Sequence, residues 1–140
     1  MITVYTDGAS SGNPGPGWAM YVIEIRNSKS ETRNIQNRVR LEHCTNNEAE
    51  YLAVIYALEY LSNKSNESYK THESNPSEPI SFLLDSKLVV EQLNGRWKVK
   101  EARMREFILQ IHTLLNELKI PVTFTYIPRE KNKADQLKYD

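Results

Sequence analysis

The sequence predicts an α/β domain, with a five-stranded mixed sheet (three strands antiparallel, two added in parallel) flanked by helices. Three observations point there. Strand-like runs separated by turn residues fill the chain up to Leu41, and helical and strand patterns alternate after it. With 39% hydrophobic content, 140 residues can build one core but not comfortably two, so residues 1–140 read as a single domain.

Ile2 to Thr6 alternates and is rich in β-formers, predicting a first strand. Asp7 then opens DGASSGNPGPG, which holds four of the five glycines and two of the six prolines and predicts an elaborate turn. The run WAMYVIEI, Trp18 to Ile25, is a second strand, followed by a polar turn and a weaker third strand from Thr32 to Leu41. Thr45-Asn46-Asn47-Glu48 fits a capping box, so a helix is expected from about Asn46 to Leu61. Residues 62–79 are polar and aperiodic, as in a mobile loop without chemistry.

ISFLLD, Ile80 to Asp85, is apolar without alternation, predicting a central strand buried on both faces and ending on a carboxylate. Leu88, Val89 and Leu93 keep helical spacing until Asn94-Gly95 stops it. A further helix from about Glu101 to Leu118 carries Met104, Phe107, Ile108, Ile111, Leu114, Leu115 and Leu118 on one stripe. After Pro121, VTFTYI alternates as a last strand, and PREKNKADQLKYD predicts a loop entering a short helix.

Eighteen basic and eighteen acidic side chains cancel, so any polyanion must be held by a local patch and not by a global field. The single cysteine, Cys44, cannot form an intrachain disulfide and is expected to be a small packing residue; the N-terminus lacks the layout of a secretory signal. No apolar run approaches the roughly 20 residues that cross a bilayer. The expectation is a cytoplasmic monomer without membrane attachment or an obligate protein partner.

Chemistry concentrates in four carboxylates. Asp7 and Asp85 directly follow the strand runs TVYT and SFLL, at the carboxyl ends where α/β sheets gather their sites. Glu50 shares a helix face with Val54, Ala57, Leu58 and Leu61 and should point toward the sheet, whereas Glu48 serves the helix cap. Asp135 opens the last short helix, anchored by Ala134 and Leu137. Any one aspartate at a strand end is more often a turn or cap residue; four together reverse those odds. Without a cysteine cluster or a well-placed histidine they form a hard oxygen set suited to Mg²⁺ or Mn²⁺. Two such ions about 3.5–4 Å apart are the arrangement used for phosphodiester hydrolysis.

Bland readings compete elsewhere. Trp97 is as well placed to cover a helix junction as to meet a substrate, and the basic strip Arg96, Lys98, Lys100, Arg103 and Arg105 is interleaved with glutamates that can pair it. Gly12 to Gly17 lacks the Gly-Lys-Ser/Thr ending of a nucleotide-phosphate loop.

Together YTDGASSGNPGPGW, TNNEAEYLAVIYALEYL, LLDSKLVVEQLNGRWKVK and YIPREKNKADQL resemble the ordered signatures of type 1 ribonuclease H, in a compact form lacking the basic protrusion. The resemblance implies endonucleolytic cleavage of the RNA strand of an RNA/DNA hybrid with two Mg²⁺ ions, Mn²⁺ being a possible substitute, giving 5′-phosphate and 3′-hydroxyl ends. It implies that Asp7 bridges both metals, that Glu50 and Asp85 hold one, and that Asp135 helps hold the other. It places Gly8, Ser10, Asn13, Asn46 and Asn47 along the RNA strand and Arg129 in a substrate-contacting loop.

Two departures stand out. Arg129 and Glu130 occupy the loop where many relatives carry a histidine, and Asn132-Lys133-Ala134-Asp135 is one residue shorter than the usual N-x-x-A-D. Two alternatives follow. One is a nuclease of the same fold acting on double-stranded RNA or DNA junctions; the other is a non-catalytic hybrid-binding module.

Overall fold

The computed structural model describes residues 1–63 and 79–139. The polar segment expected as a mobile loop therefore falls, over residues 64–78, outside the described residues; Ser62 closes a helix and Pro79 leads into a strand.

Five strands, β1 (Ile2–Ser10), β2 (Gly15–Arg26), β3 (Thr32–Cys44), β4 (Ile80–Leu84) and β5 (Val122–Tyr126), form one sheet in the order β3-β2-β1-β4-β5. The first three pair antiparallel, while β4 joins β1 and β5 joins β4 in parallel. This is the mixed sheet that the sequence predicts.

The glycine-rich segment differs from its expectation. Asp7 does not end β1: the strand continues to Ser10, and β2 starts at Gly15, so only residues 11–14 turn. Continuous antiparallel pairing, Asp7 with Met20 through Ser10 with Gly17, satisfies the backbone there. At Gly15 a Cβ would lie 2.1 Å from the Ser11 carbonyl oxygen, so the hairpin closes only around a bare backbone.

Helices α1 (Asn46–Ser62), α2 (Lys87–Leu93) and α3 (Ala102–Leu118) follow the predicted positions. Thr45 caps α1: its hydroxyl accepts from the Glu48 N–H at 3.1 Å, and the Glu48 carboxylate accepts from the Thr45 N–H at 2.8 Å. Ile2, Val4, Ile23, Ile80, Phe82 and Leu84 present one sheet face to the apolar stripes of α1 and α3, forming the main core. Cys44 is buried as a packing residue beside Ala49 and Ala53.

On the opposite face, Met20 and Val22 pack under Ala134 and Leu137 of a terminal 3-10 helix (Lys133–Tyr139). That helix covers β1 and β2, which explains a second difference. β4 was expected to be buried on both faces, but Ile80, Phe82 and Leu84 are buried and Ser81 and Leu83 only half-buried. No helix is long and apolar enough to cross a membrane among the described residues.

Candidate active site

Register brings the first two carboxylates together. The parallel ladder of β1 and β4 ends at Thr6 opposite Leu84, so Asp7 and Asp85 are the next residues on adjacent strands, about 4.8 Å apart across the sheet. The pleat turns Asp7 to the same side as Tyr5 and Ala9, toward the terminal 3-10 helix whose first turn carries Asp135. One oxygen each from Asp7, Asp85 and Asp135 lies within 4.8 Å of the others.

Glu50 reaches this cluster from the second turn of α1. Gly8 makes the approach possible: a Cβ there would stand 2.2 Å from the Ala49 carbonyl carbon, so the helix backbone rests directly on the strand. The space left by the missing side chain is thus filled by α1. Gly8 itself is buried, and its N–H donates to Asp7 Oδ1 at 3.0 Å.

Glu50 is 8% exposed. Burial raises its pKa well above the ordinary carboxylate value; the Asp7 charge, a side-chain hydrogen bond with Asp7 and the Asp85 charge push the same way, and the Gly8 backbone only partly offsets them. Glu50 Oε2 is buried with no hydrogen-bond partner among the described residues. A group so placed resists ionising unless a cation joins it.

The helix geometry also separates the two glutamates. Glu48 is occupied by the Thr45 cap and by an exposed ion pair with Arg103 at 3.3 Å, while Glu50 faces Asp7. Glu48→Ala should cost about 1 kcal/mol in urea unfolding through the lost cap, yet leave divalent-metal affinity in calorimetry unchanged. Loss of metal binding in that variant would exchange the roles of the two residues.

Asn132 is the residue that sequence reasoning passed over. It is 2% exposed, and its Nδ2 donates to the Thr6 carbonyl at 2.9 Å and to Asp85 Oδ2 at 3.1 Å. Its Oδ1 accepts from the Ala134 N–H at 3.0 Å, and its carbonyl accepts from the Asp135 N–H at 3.1 Å. One amide therefore fastens β1, Asp85 and the start of the Asp135 helix. This closed turn is how the shortened Asn132-Lys133-Ala134-Asp135 spacing still delivers Asp135 to the cluster. The asparagine was visible in the sequence, but its role needed the Thr6 carbonyl, 126 positions away. Asn132→Ala should weaken metal binding at least about tenfold and cost about 1–3 kcal/mol of stability, from the buried partners it strands. Unaltered metal binding in calorimetry would show that the amide only packs.

The polar residues named from the sequence form a second group. Asn46 Oδ1 accepts from both the Ser10 N–H and the Ser10 hydroxyl at 3.0 Å, and the Asn46 N–H donates to Asn13 Oδ1 at 2.9 Å. The β1–β2 turn is thereby tied to the start of α1. Asn47 follows, half-buried, on the first turn of that helix, and Arg129 is exposed on a 3-10 turn (Arg129–Lys131).

Against known proteins, the sequence model of the RNase H family matches residues 1–136. A bifunctional protein of Mycobacterium tuberculosis is 31% identical over 140 residues, covering 99% of this chain and 35% of that protein. Ribonuclease HI of Halobacterium salinarum is 31% identical over 137 residues, 97% of this chain and 61% of its own length. The chain thus spans about a third of the first of these relatives and under two thirds of the second. Among solved structures, LC11-RNase H1 in complex with an RNA/DNA hybrid superposes with a TM-score of 0.80 at 34% identity, covering 98% of this chain and 93% of that one. RNase H1 of Halobacterium salinarum gives 0.76 at 28% identity over 97% and 92%. With its five-stranded mixed sheet, its carboxylate cluster and these matches along nearly its whole length, the chain belongs to the ribonuclease H family.

Proposed function

We propose that this protein is an endoribonuclease that hydrolyses the RNA strand of RNA/DNA hybrids with two Mg²⁺ ions, Mn²⁺ serving as a substitute, and leaves 5′-phosphate and 3′-hydroxyl ends. The observation that carries this reading is the convergence of Asp7, Asp85 and Asp135 oxygens within 4.8 Å, with Glu50 buried against Asp7. Four carboxylates at one sheet end oppose one another electrostatically, and cations are what would hold them there. Their oxygens are hard donors, and the partnerless Glu50 Oε2 is a ligand position in waiting.

Asp7, which neighbours the other three, is the ligand suited to be shared; Glu50 and Asp85 would complete one metal position and Asp135 the other. Bound there, divalent ions supply water activation and charge stabilisation at the scissile phosphate. The protein's own part is orientation: the Gly8 N–H fixes Asp7, and Asn132 fixes Asp85 and the entry to Asp135.

Choice of the hybrid rests on the Ser10, Asn13, Asn46 and Asn47 group, whose small polar side chains suit contacts with 2′-hydroxyls, the feature that distinguishes RNA from DNA. The hybrid held by LC11-RNase H1 supports the same substrate. Labelled hybrid, double-stranded RNA, duplex DNA and a DNA junction, offered together with Mg²⁺, test the choice. The hybrid should be cut and the others ignored. Preferential cutting of double-stranded RNA or the junction would move the protein to the related nucleases, and tight hybrid binding without turnover in either metal would make it a binding module.

A further inference from the structure

Beside the terminal 3-10 helix, the same sheet face carries a second feature one rung beyond the carboxylates. Ala9 pairs with Trp18 and Trp18 with Arg40, as Asp7 pairs with Met20 and Met20 with Arg38. Residues two apart on a strand share a face, so Trp18 and Arg40 lie on the Asp7 side, displaced about 7 Å along the strands. They line an open pocket together with Ser10 and Ser11. Ser10 is also bonded to Asn46, so the pocket continues the polar group already assigned to the RNA strand.

The electrostatics of the pocket suit an anion. The Arg38 guanidinium sits 4.3 Å from the Trp18 ring centroid and is fixed by donating to the Leu137 carbonyl at 3.1 Å. Arg40 lies 5.7 Å from the same ring, is exposed, and makes no ion pair among the described residues. Two members of the basic strip near α3 contrast with this: Arg96 is bound to Glu91 at 2.7 Å and Arg103 to Glu48 at 3.3 Å. In a chain of zero net charge, Arg38 and Arg40 are cations beside the site without an acidic partner among the described residues, and so are placed to meet phosphate. The half-buried Trp18 indole, near both guanidiniums and backed by the Met20, Val22, Ala134 and Leu137 cluster, adds a rigid apolar surface for a sugar or base.

We propose that this pocket is a strand-holding subsite, in which Arg40 neutralises a phosphate of the RNA strand next to the scissile position and the Trp18 ring packs against the adjoining sugar. The subsite rests on the reading of the protein as a hybrid nuclease.

Arg40→Ala, at an exposed position, tests it against Lys29→Ala, which removes the same charge at the far hairpin turn between β2 and β3. Hybrid cleavage is measured between about 50 and 200 mM salt, the range over which phosphate contacts dominate affinity. Arg40→Ala should raise KM roughly fivefold with kcat little changed and reduce the salt slope of log KM by about 1, one phosphate contact's worth. Lys29→Ala should match wild type. Hybrids shortened stepwise from each end of the RNA strand should erase the Arg40→Ala difference from one end only. If wild type cuts the hybrid while Arg40→Ala shows an unchanged KM and slope, or if both variants shift equally, the subsite is wrong and the nuclease reading stands. If wild type leaves the hybrid intact in both Mg²⁺ and Mn²⁺, the nuclease reading fails and takes the subsite with it.

Discussion

Replacing Asp7 with asparagine is expected to lower the rate of hybrid cleavage at least about a thousandfold, a loss of roughly 4 kcal/mol of transition-state stabilisation. Asp7 is 1% exposed, is hydrogen-bonded by Gly8, and shares its site with Glu50, Asp85 and Asp135. Asparagine keeps the shape and can still accept from the Gly8 N–H, so the fold should persist while the negative charge goes. With that charge removed, the repulsion felt by Glu50 also falls, and the metal-free variant should melt at a higher temperature than metal-free wild type. Single-turnover cleavage and thermal unfolding in chelator measure the two effects. Equal cleavage by both proteins would remove Asp7 from the site.

The second large effect is the joint dependence of stability on metal and pH. Glu50 has its folded-state pKa raised, first by burial and then by Asp7 and Asp85. Its protonated form therefore favours the native state. The stability it contributes is complete below the unfolded pKa and is lost as pH rises through the raised folded value. In chelator, wild type should lose stability relative to Glu50→Gln as pH climbs from the ordinary carboxylate range toward neutrality, since glutamine mimics the protonated acid throughout. Excess Mg²⁺ or Mn²⁺ should reverse the order at neutral pH, because the ionised glutamate is then a ligand and binding stabilises the native state by mass action. Denaturant midpoints for both proteins across pH, with and without metal, provide the check. Parallel curves in chelator would mean that Glu50 is not held in a proton-favouring environment.

Patterned elements were legible in the sequence, and cross-chain geometry was not. The capping box at Thr45 and Glu48, the stripe on α3 and the Asn94-Gly95 stop depend on neighbours within a few residues, so local physics reveals them. Glu50 could be told from Glu48 for the same reason. β1 overran its expected end because its continuation through Asp7 to Ser10 is stabilised by β2, and glycines that look like turn residues are there to let backbone pass close to backbone. The one-sided burial of β4 depends on where the terminal 3-10 helix lands, which no window of residues 80–85 records. The shortened spacing before Asp135 looked like a displacement. Asn132 absorbs it by bonding Thr6 and Asp85, a contact that only the assembled sheet creates.

Cleavage of a hybrid carrying end-labelled RNA, with product ends identified, tests the central claim most directly. In Mg²⁺ or Mn²⁺ the RNA strand should be cut internally to 5′-phosphate and 3′-hydroxyl fragments, the DNA strand should stay intact, and chelator should stop the reaction. An RNA strand left whole in both metals, cutting of the DNA strand, or cleavage that persists in chelator would contradict a metal-dependent ribonuclease built on Asp7, Glu50, Asp85 and Asp135.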